Sequence, residues 1–231
     1  MAVSNSERSS VTRCDDLSTL GEVARTFFSY KAPRFLMVLI VAVAIGRLLL
    51  GSVGWVDLVI VILTLVMVGP MEWVIHRYLL HAPDGSFRKT TLETGTGHVA
   101  HHRDPHDVGW TLLSLADAGG FLVILSVWAV VWTVPFALLV GATVIAAVVT
   151  SFLLSVIGLF HYEWTHLLIH TRYRPKTRYY KRLANNHRLH HYRNETYWLG
   201  VTSNLGDRML STLPSDKGDV PLSQTARNLG G

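Results

Sequence analysis

Four long apolar runs leave this chain few ways to fold: Phe35 to Leu50, Val56 to Ile75, Leu112 to Val134 and Phe136 to Phe160. Each spans or nearly spans a bilayer, which needs about 20 helical residues at about 1.5 Å rise per residue. Hydrocarbon offers backbone amides no partner, so the runs must close their hydrogen bonds within themselves as helices. The remainder agrees, since 49% of the 231 residues are hydrophobic, only 16% are charged and the mean hydropathy is +0.30, too apolar for a soluble domain of this size. The expected fold is an all-α membrane protein. The Gly51-Ser52-Val53-Gly54 stretch and Pro135 are expected to make tight connections, folding four transmembrane helices into two hairpins.

Flanking charge suggests the orientation. Arg8, Arg13, Arg25, Lys31 and Arg34 precede the first run, and the Gly51 to Gly54 turn has no base. Arg77, Arg88, Lys89 and Arg103 follow the second run, and Thr171 to Arg193 holds eight Lys or Arg and no acid. The bases place the polar segments and both termini in the cytoplasm. Arg47, near the end of the first run, is expected to snorkel to the opposite interface. A sequence pI near 9.5 can mark a nucleic-acid binder. Here the bases flank apolar spans, so anionic headgroups are the expected neighbours and nucleic acid is not. No short cleavable signal peptide is evident, and the N-terminus is expected to be retained. Residues 1–34 read as a cytosolic or interfacial segment, with Thr26 to Phe35 either at the membrane surface or in a disordered tail; 35–214 read as the membrane domain and 215–231 as a flexible tail.

All twelve histidines fall in two windows, Glu72 to Trp110 and Phe160 to Tyr192, at or beyond the same ends of the helices. Cys14 is the single cysteine, so a metal would have to be held by histidine or carboxylate. Residues three and four apart share a helix face, so His98, His101 and His102 should converge, as should His187, His190 and His191. His166 and His170 form an i, i+4 pair, and His76 and His81 flank the end of the second run. Ten imidazoles in four groups exceed what one ion takes and suggest two sites. His106 and His161 break the spacing and read as ordinary polar residues. Trp73, Trp164, Trp198, Tyr78, Tyr162 and Tyr197 read as headgroup-level belt aromatics. The chain lacks a His-Glu-x-x-His helix, a Gly-x-Ser-x-Gly elbow and a phosphate loop. Its apolar runs carry almost no charge beyond Asp57 and Asp117, which argues against a transport pathway.

His76 to His81 (HRYLLH), HVAHH at 98–102, Glu163 to His170 and HRLHH at 187–191, followed by Gly200-Val201-Thr202-Ser203, together resemble the membrane-bound fatty acid hydroxylase and sterol desaturase superfamily, and the fatty acid 2-hydroxylases most. The resemblance implies a four-helix anchor with a cytosolic helical cap, a histidine-bound dimetal centre, O2 as co-substrate and a separate electron donor such as cytochrome b5 or ferredoxin with its reductase. It carries over His76, His81, His98, His101, His102, His166, His170, His187, His190 and His191 as catalytic metal ligands, and gives His106 and His161 no counterpart. Two iron ions are the implied cofactor, with zinc as a possible replacement because it binds such sites more tightly than Fe(II). Glu72, Glu163 and Asp207 are candidates to orient imidazole N–H groups. The implied reaction is hydroxylation or desaturation of a C–H bond in a long-chain membrane lipid, foremost a fatty acyl chain. A sterol or carotenoid substrate stays open, as does a non-enzymatic metal-binding or transport protein. The His-Pro-Gly-Gly haem-binding segment of fused cytochrome b5 domains and the His-Asp-Gly-Leu-Val-His motif of carotenoid hydroxylases are absent.

Overall fold

The computed structural model describes residues 12–51, 53–82 and 94–224; Arg8, Ser52, Arg88, Lys89 and residues 225–231 of the tail lie outside them. Nine α-helices occur among the described residues: α1 Leu20–Ser29, α2 Lys31–Leu49, α3 Trp55–Ile75, α4 Thr94–Arg103, α5 Val108–Thr111, α6 Leu115–Leu139, α7 Val144–His170, α8 Arg178–Tyr192 and α9 Leu205–Met209. The only pairing of extended backbone among them is an isolated bridge between Arg13 and Asp107. Helices α2, α3, α6 and α7 are each long and apolar enough to cross a membrane.

Helix α7 is central and packs against α2, α3 and α6. Its buried stripe runs through Ala147, Ser151 and Ser155, small residues four apart that let neighbouring backbones approach. Below the histidine-bearing end, Leu36, Leu80, Phe121, Leu125, Val156 and Leu159 close a core shared by all four spans. A second core above it joins Cys14, Val23 and Phe27 to Val108, Leu167 and Leu168. Burial pushes the Cys14 thiol up to about 12. Helix α1 is thus an ordered helix packed on α7 rather than a tail. Thr19 and Glu22 form a capping box at its start, and Phe27 packs edge-on against Phe160 and Trp164 of α7.

Three expectations need correction. Pro135 does not separate two spans: α6 runs through it to Leu139, and the chain turns at 140–143, where Gly141 takes φ +66°. Proline removes one amide bond, whereas breaking the helix in hydrocarbon would expose several groups, so the turn waits for the glycine that fits a left-handed cap. Helix α7 also starts later than the apolar run, at Val144, and continues past the run's end at Phe160 to His170, so the third histidine group lies on the span itself. Arg47 does not snorkel but is buried. Its Nη2 and Nε donate to Asp57 Oδ1 at 2.6 and 3.1 Å, Nε donates to Thr150 Oγ1 at 2.6 Å, and α2, α3 and α7 are thereby tied together at the end remote from the histidines.

Candidate metal centre

Helix α3 passes directly into a π-helical turn over His76–Leu80, closed by the His81 N–H donating to the His76 carbonyl at 3.1 Å. Five residues along an α-helix would turn side chains about 140° apart. The wider π turn cancels that rotation, and the His76 and His81 rings stack with centroids 5.0 Å apart. A spacing of five therefore makes a pair only because the helix changes form there.

The ten histidines gather in two groups, one of His76, His81, His98, His102 and His190, the other of His101, His166, His170, His187 and His191. Within each group the ligand-capable nitrogens lie within 4.8 Å of one another. The groups abut, His102 stacking on His191 with centroids 4.1 Å apart. Each His-x-x-His-His motif is split, which corrects the expectation of two three-nitrogen faces. Residues four apart differ by about 40° around a helix, whereas adjacent residues differ by about 100°. The i, i+4 pairs His98/His102 and His187/His191 consequently stay together, while His101 and His190 turn to the neighbouring group.

In the first group, Nε2 of His98 lies 3.2, 3.1 and 3.1 Å from Nε2 of His76, His81 and His102, and Nε2 of His190 lies 3.2 and 3.3 Å from those of His81 and His102. In the second, Nε2 of His187 lies 2.9 Å from that of His170 and 3.0 Å from that of His191, which is 3.2 Å from that of His101. These contacts are not hydrogen bonds throughout. His76, His190 and His166 use Nδ1–H to donate to the carbonyls of Leu199, Tyr197 and Thr111, the latter two at 2.9 Å, which leaves their Nε2 lone pairs facing inward. Converging lone pairs repel unless a cation lies among them, and spacings near 3 Å suit neighbouring ligands with metal bonds of about 2.1 Å. Burial, and then the neighbouring imidazoles, hold His81, His98, His101, His102, His187 and His191 well below the usual histidine range. Burial brings His190 to about 4. These side chains stay neutral at physiological pH, the form that binds a metal.

The carboxylates named from sequence do not touch imidazole. Asp207 accepts from the Leu199 and Gly200 amides at 2.9 and 2.8 Å and from Thr212 Oγ1 at 2.6 Å. Glu72 accepts from the Val201 and Thr202 amides and from Thr202 Oγ1, and Glu163 accepts from the Leu113 amide at 2.8 Å. The acids grip the backbone whose carbonyls orient the imidazoles, one layer further out than expected. The 197–202 strap is tight: Trp198 has φ +52°, and a Cβ on Gly200 would lie 2.0 Å from the Ser203 carbonyl oxygen. Trp73 and Trp198 are buried rather than belt residues, Trp73 donating from Nε1 to Thr212 Oγ1 at 2.7 Å. His106 stands apart, facing Asp15 and Tyr192 at 3.3 Å, and His161 faces Thr165 Oγ1 at 3.3 Å. Carbonyls carry no sequence signature, so the roles of Tyr197, Leu199 and Thr111 had no signal to find.

An apolar cavity, enclosing about 700 Å³ of empty space when its open side is counted, runs between α3, α6 and α7, past Met67, Met71, Phe121 and Trp128, and ends at His76, Glu72, Tyr162 and Thr202.

Residues 59–212 match the family model described as fatty acid hydroxylase. Over 147 residues the chain is 30% identical to an Arabidopsis thaliana protein described as dihydroceramide fatty acyl 2-hydroxylase FAH2, the alignment covering 64% of this chain and 57% of that protein. The chain thus spans well under two thirds of that relative's length. Among solved structures, the hydroxylase domain of full-length Scs7p shares the fold with a TM-score of 0.63 at 20% identity, over 84% of this chain and 68% of that one.

Proposed function

This chain belongs to the fatty acid hydroxylase family, and on that premise we propose that it is an O2-dependent, non-haem di-iron oxidoreductase that hydroxylates a long acyl chain of a membrane lipid. The observation that carries the reading is the meeting of the apolar cavity with His76, a member of the first imidazole group. From Thr64 to His76 the cavity follows about 18 Å of helix, long enough to lodge an extended acyl chain between spans that are themselves lipid-facing.

The ten histidines are the proposed ligands, five to each of two ions, with iron as the working metal and zinc as a possible replacement. Two bound irons would supply the O2 activation and C–H cleavage that no side chain of this protein offers. The rest falls to the chain itself. Met67, Met71, Phe121 and Trp128 hold the substrate's apolar body and exclude water, and the polar end at Glu72, Tyr162 and Thr202 lies where an acyl head group would emerge. The balance is one C–H bond and one O2 consumed with two electrons and two protons, giving one hydroxyl and one water. The electrons come from a separate carrier, a cytochrome b5 or a ferredoxin with its reductase. We place the membrane domain at 35–214 and the histidines and both termini on the cytoplasmic side, supported by the bases flanking the spans.

Purified protein reconstituted with iron, a reducing system and long-chain acyl lipid under 18-O2 should give hydroxylated lipid carrying one labelled oxygen. Unlabelled product, or an alkene without oxygen incorporation, would contradict the hydroxylase reading.

A further inference from the structure

Helix α8 has two opposed faces. Leu183, Asn186, His187, His190 and His191 are buried on one, and Arg178, Lys181, Arg182 and Arg188 are exposed on the other. At about 100° per residue, Arg178, Lys181 and Arg188 lie on the side of the helix opposite the centre of that buried face, with Arg182 on its flank. Among the described residues none of the four has a carboxylate within ion-pair distance. Such a stripe is unlike the mixed-sign surface of an ordinary exposed helix, where alternating charges offset each other.

Position distinguishes this stripe from a headgroup anchor. The imidazole groups lie between the ends of α3 and α7 on one side and α8 on the other, since His76, His166 and His170 come from the spans and His187, His190 and His191 from α8. The outer face of α8 is therefore turned away from the spans and the bilayer they cross. Arg172 and Arg174, just beyond the end of α7, are better placed for lipid phosphate. A protein seated on the stripe would be separated from the imidazoles by about one helix diameter, 10–12 Å, a short path for an electron.

We propose that the outer face of α8 is the docking surface for a small acidic one-electron carrier protein, which delivers its electrons through α8 to the histidine centre. The proposal rests on the oxygenase reading, in which two reduced carriers each give up one electron per hydroxylation and O2 takes these, two protons and the two electrons of the C–H bond, ending as one hydroxyl and one water. Encounters of this kind are small and transient, and charge complementarity sets their on-rate.

The test uses metal-loaded full-length protein in nanodiscs of neutral lipid, with plant-type ferredoxin and soluble cytochrome b5 as separate probes, comparing wild type with the triple variant Arg178→Glu, Lys181→Glu, Arg188→Glu. Direct binding and stopped-flow reduction by the carrier are measured alongside reduction by dithionite and metal content. At least one carrier should bind the wild type, more weakly as ionic strength rises from about 0.02 to 0.3 M, and the variant should lose about tenfold or more in affinity and carrier-driven reduction. Dithionite reduction and metal content should not change. The proposal is overturned if neither carrier binds the wild type, or if the variant binds as well as wild type. It is also overturned if the substitutions abolish binding to phosphatidylglycerol vesicles while leaving carrier affinity intact, which would make the stripe a lipid anchor. Carrier binding that depends on the stripe without any oxygenated product would keep the docking surface and sink the oxygenase reading instead.

Discussion

Replacing His190 by Ala removes a buried nitrogen that faces Nε2 of both His81 and His102 and is itself oriented by the Tyr197 carbonyl. Metal content should fall by about one ion per chain, with most activity lost, because the opened position admits water and the remaining imidazoles lose their geometry. His106→Ala should keep both ions, since that side chain faces Asp15 and Tyr192 and belongs to neither imidazole group; elemental analysis of folded protein decides, and equal metal loss from both variants would contradict the grouping. Acid should act on the same imidazoles. They are harder to protonate folded than unfolded, where histidine titrates near about 6.5, so below that pH the unfolded state binds more protons. Stability of metal-free protein should be full above about pH 6.5 and fall as pH drops toward about 4, the value to which burial brings His190. A melting temperature unchanged between pH 7.5 and about 5 would contradict this. The identity of the clustered residues was legible because chance does not confine twelve histidines to two windows. Their partition was not, because a motif of three histidines covers about 100° of helix and only the neighbouring helices decide which members face which group. His76 and His81 were legible as neighbours at one helix end, but the π turn that stacks their rings was not, because α-helical spacing would set them about 140° apart.

At the scale of elements, the apolar runs announced the spans, but their ends depended on contacts the local sequence does not carry. Pro135 read as a break from its own chemistry, yet the turn formed at Gly141, and α7 kept helical form to His170 because its last turns are buried against α1, α5 and the histidines. Arg47 illustrates the same limit: a base near the end of an apolar run can snorkel, and nothing local shows that Asp57 and Thr150 stand opposite it. Arg47→Leu should leave Asp57 buried without its cation and cost about 3–5 kcal/mol, while Arg47→Leu with Asp57→Asn should recover much of that loss. Thermal or denaturant unfolding in detergent measures the cycle, and additive losses would show that the pair is not coupled. The 197–202 strap yields a second expectation. Asp207→Ala would leave the Leu199 and Gly200 amides buried without their acceptor, free the Leu199 carbonyl from its place beside His76, and lower occupancy of the first group while the second retains its ion. Loss of both ions together, or of neither, would count against the strap as a positioning device for one group.

In the whole molecule, the two imidazole groups join parts that are far apart in the chain. Helices α4 and α8 each contribute to both groups, whereas the end of α3 serves only the first and α7 only the second. Each ion would therefore tie the pair α4 and α8 to a different span, and the two together would fix the cap against rotation as well as lift. The spans need no such help. Helix α7 packs along α2, α3 and α6 through an apolar interface, and the Arg47 and Asp57 pair holds the far end. Metal binding can supply free energy that ordinary packing does not, and here it would be concentrated in the cap. Stripping the metal with a chelator at neutral pH should then speed hydrogen exchange at backbone amides of α4 and α8, with little change across the buried lengths of α2, α3, α6 and α7. Readdition of Fe(II) should restore protection. Exchange that rises equally in cap and spans would mean the metal stabilises the fold as one unit. Exchange that does not change would mean α4 and α8 hold the imidazoles in place unaided, leaving the lone-pair repulsion among ten inward-facing nitrogens without a counterweight.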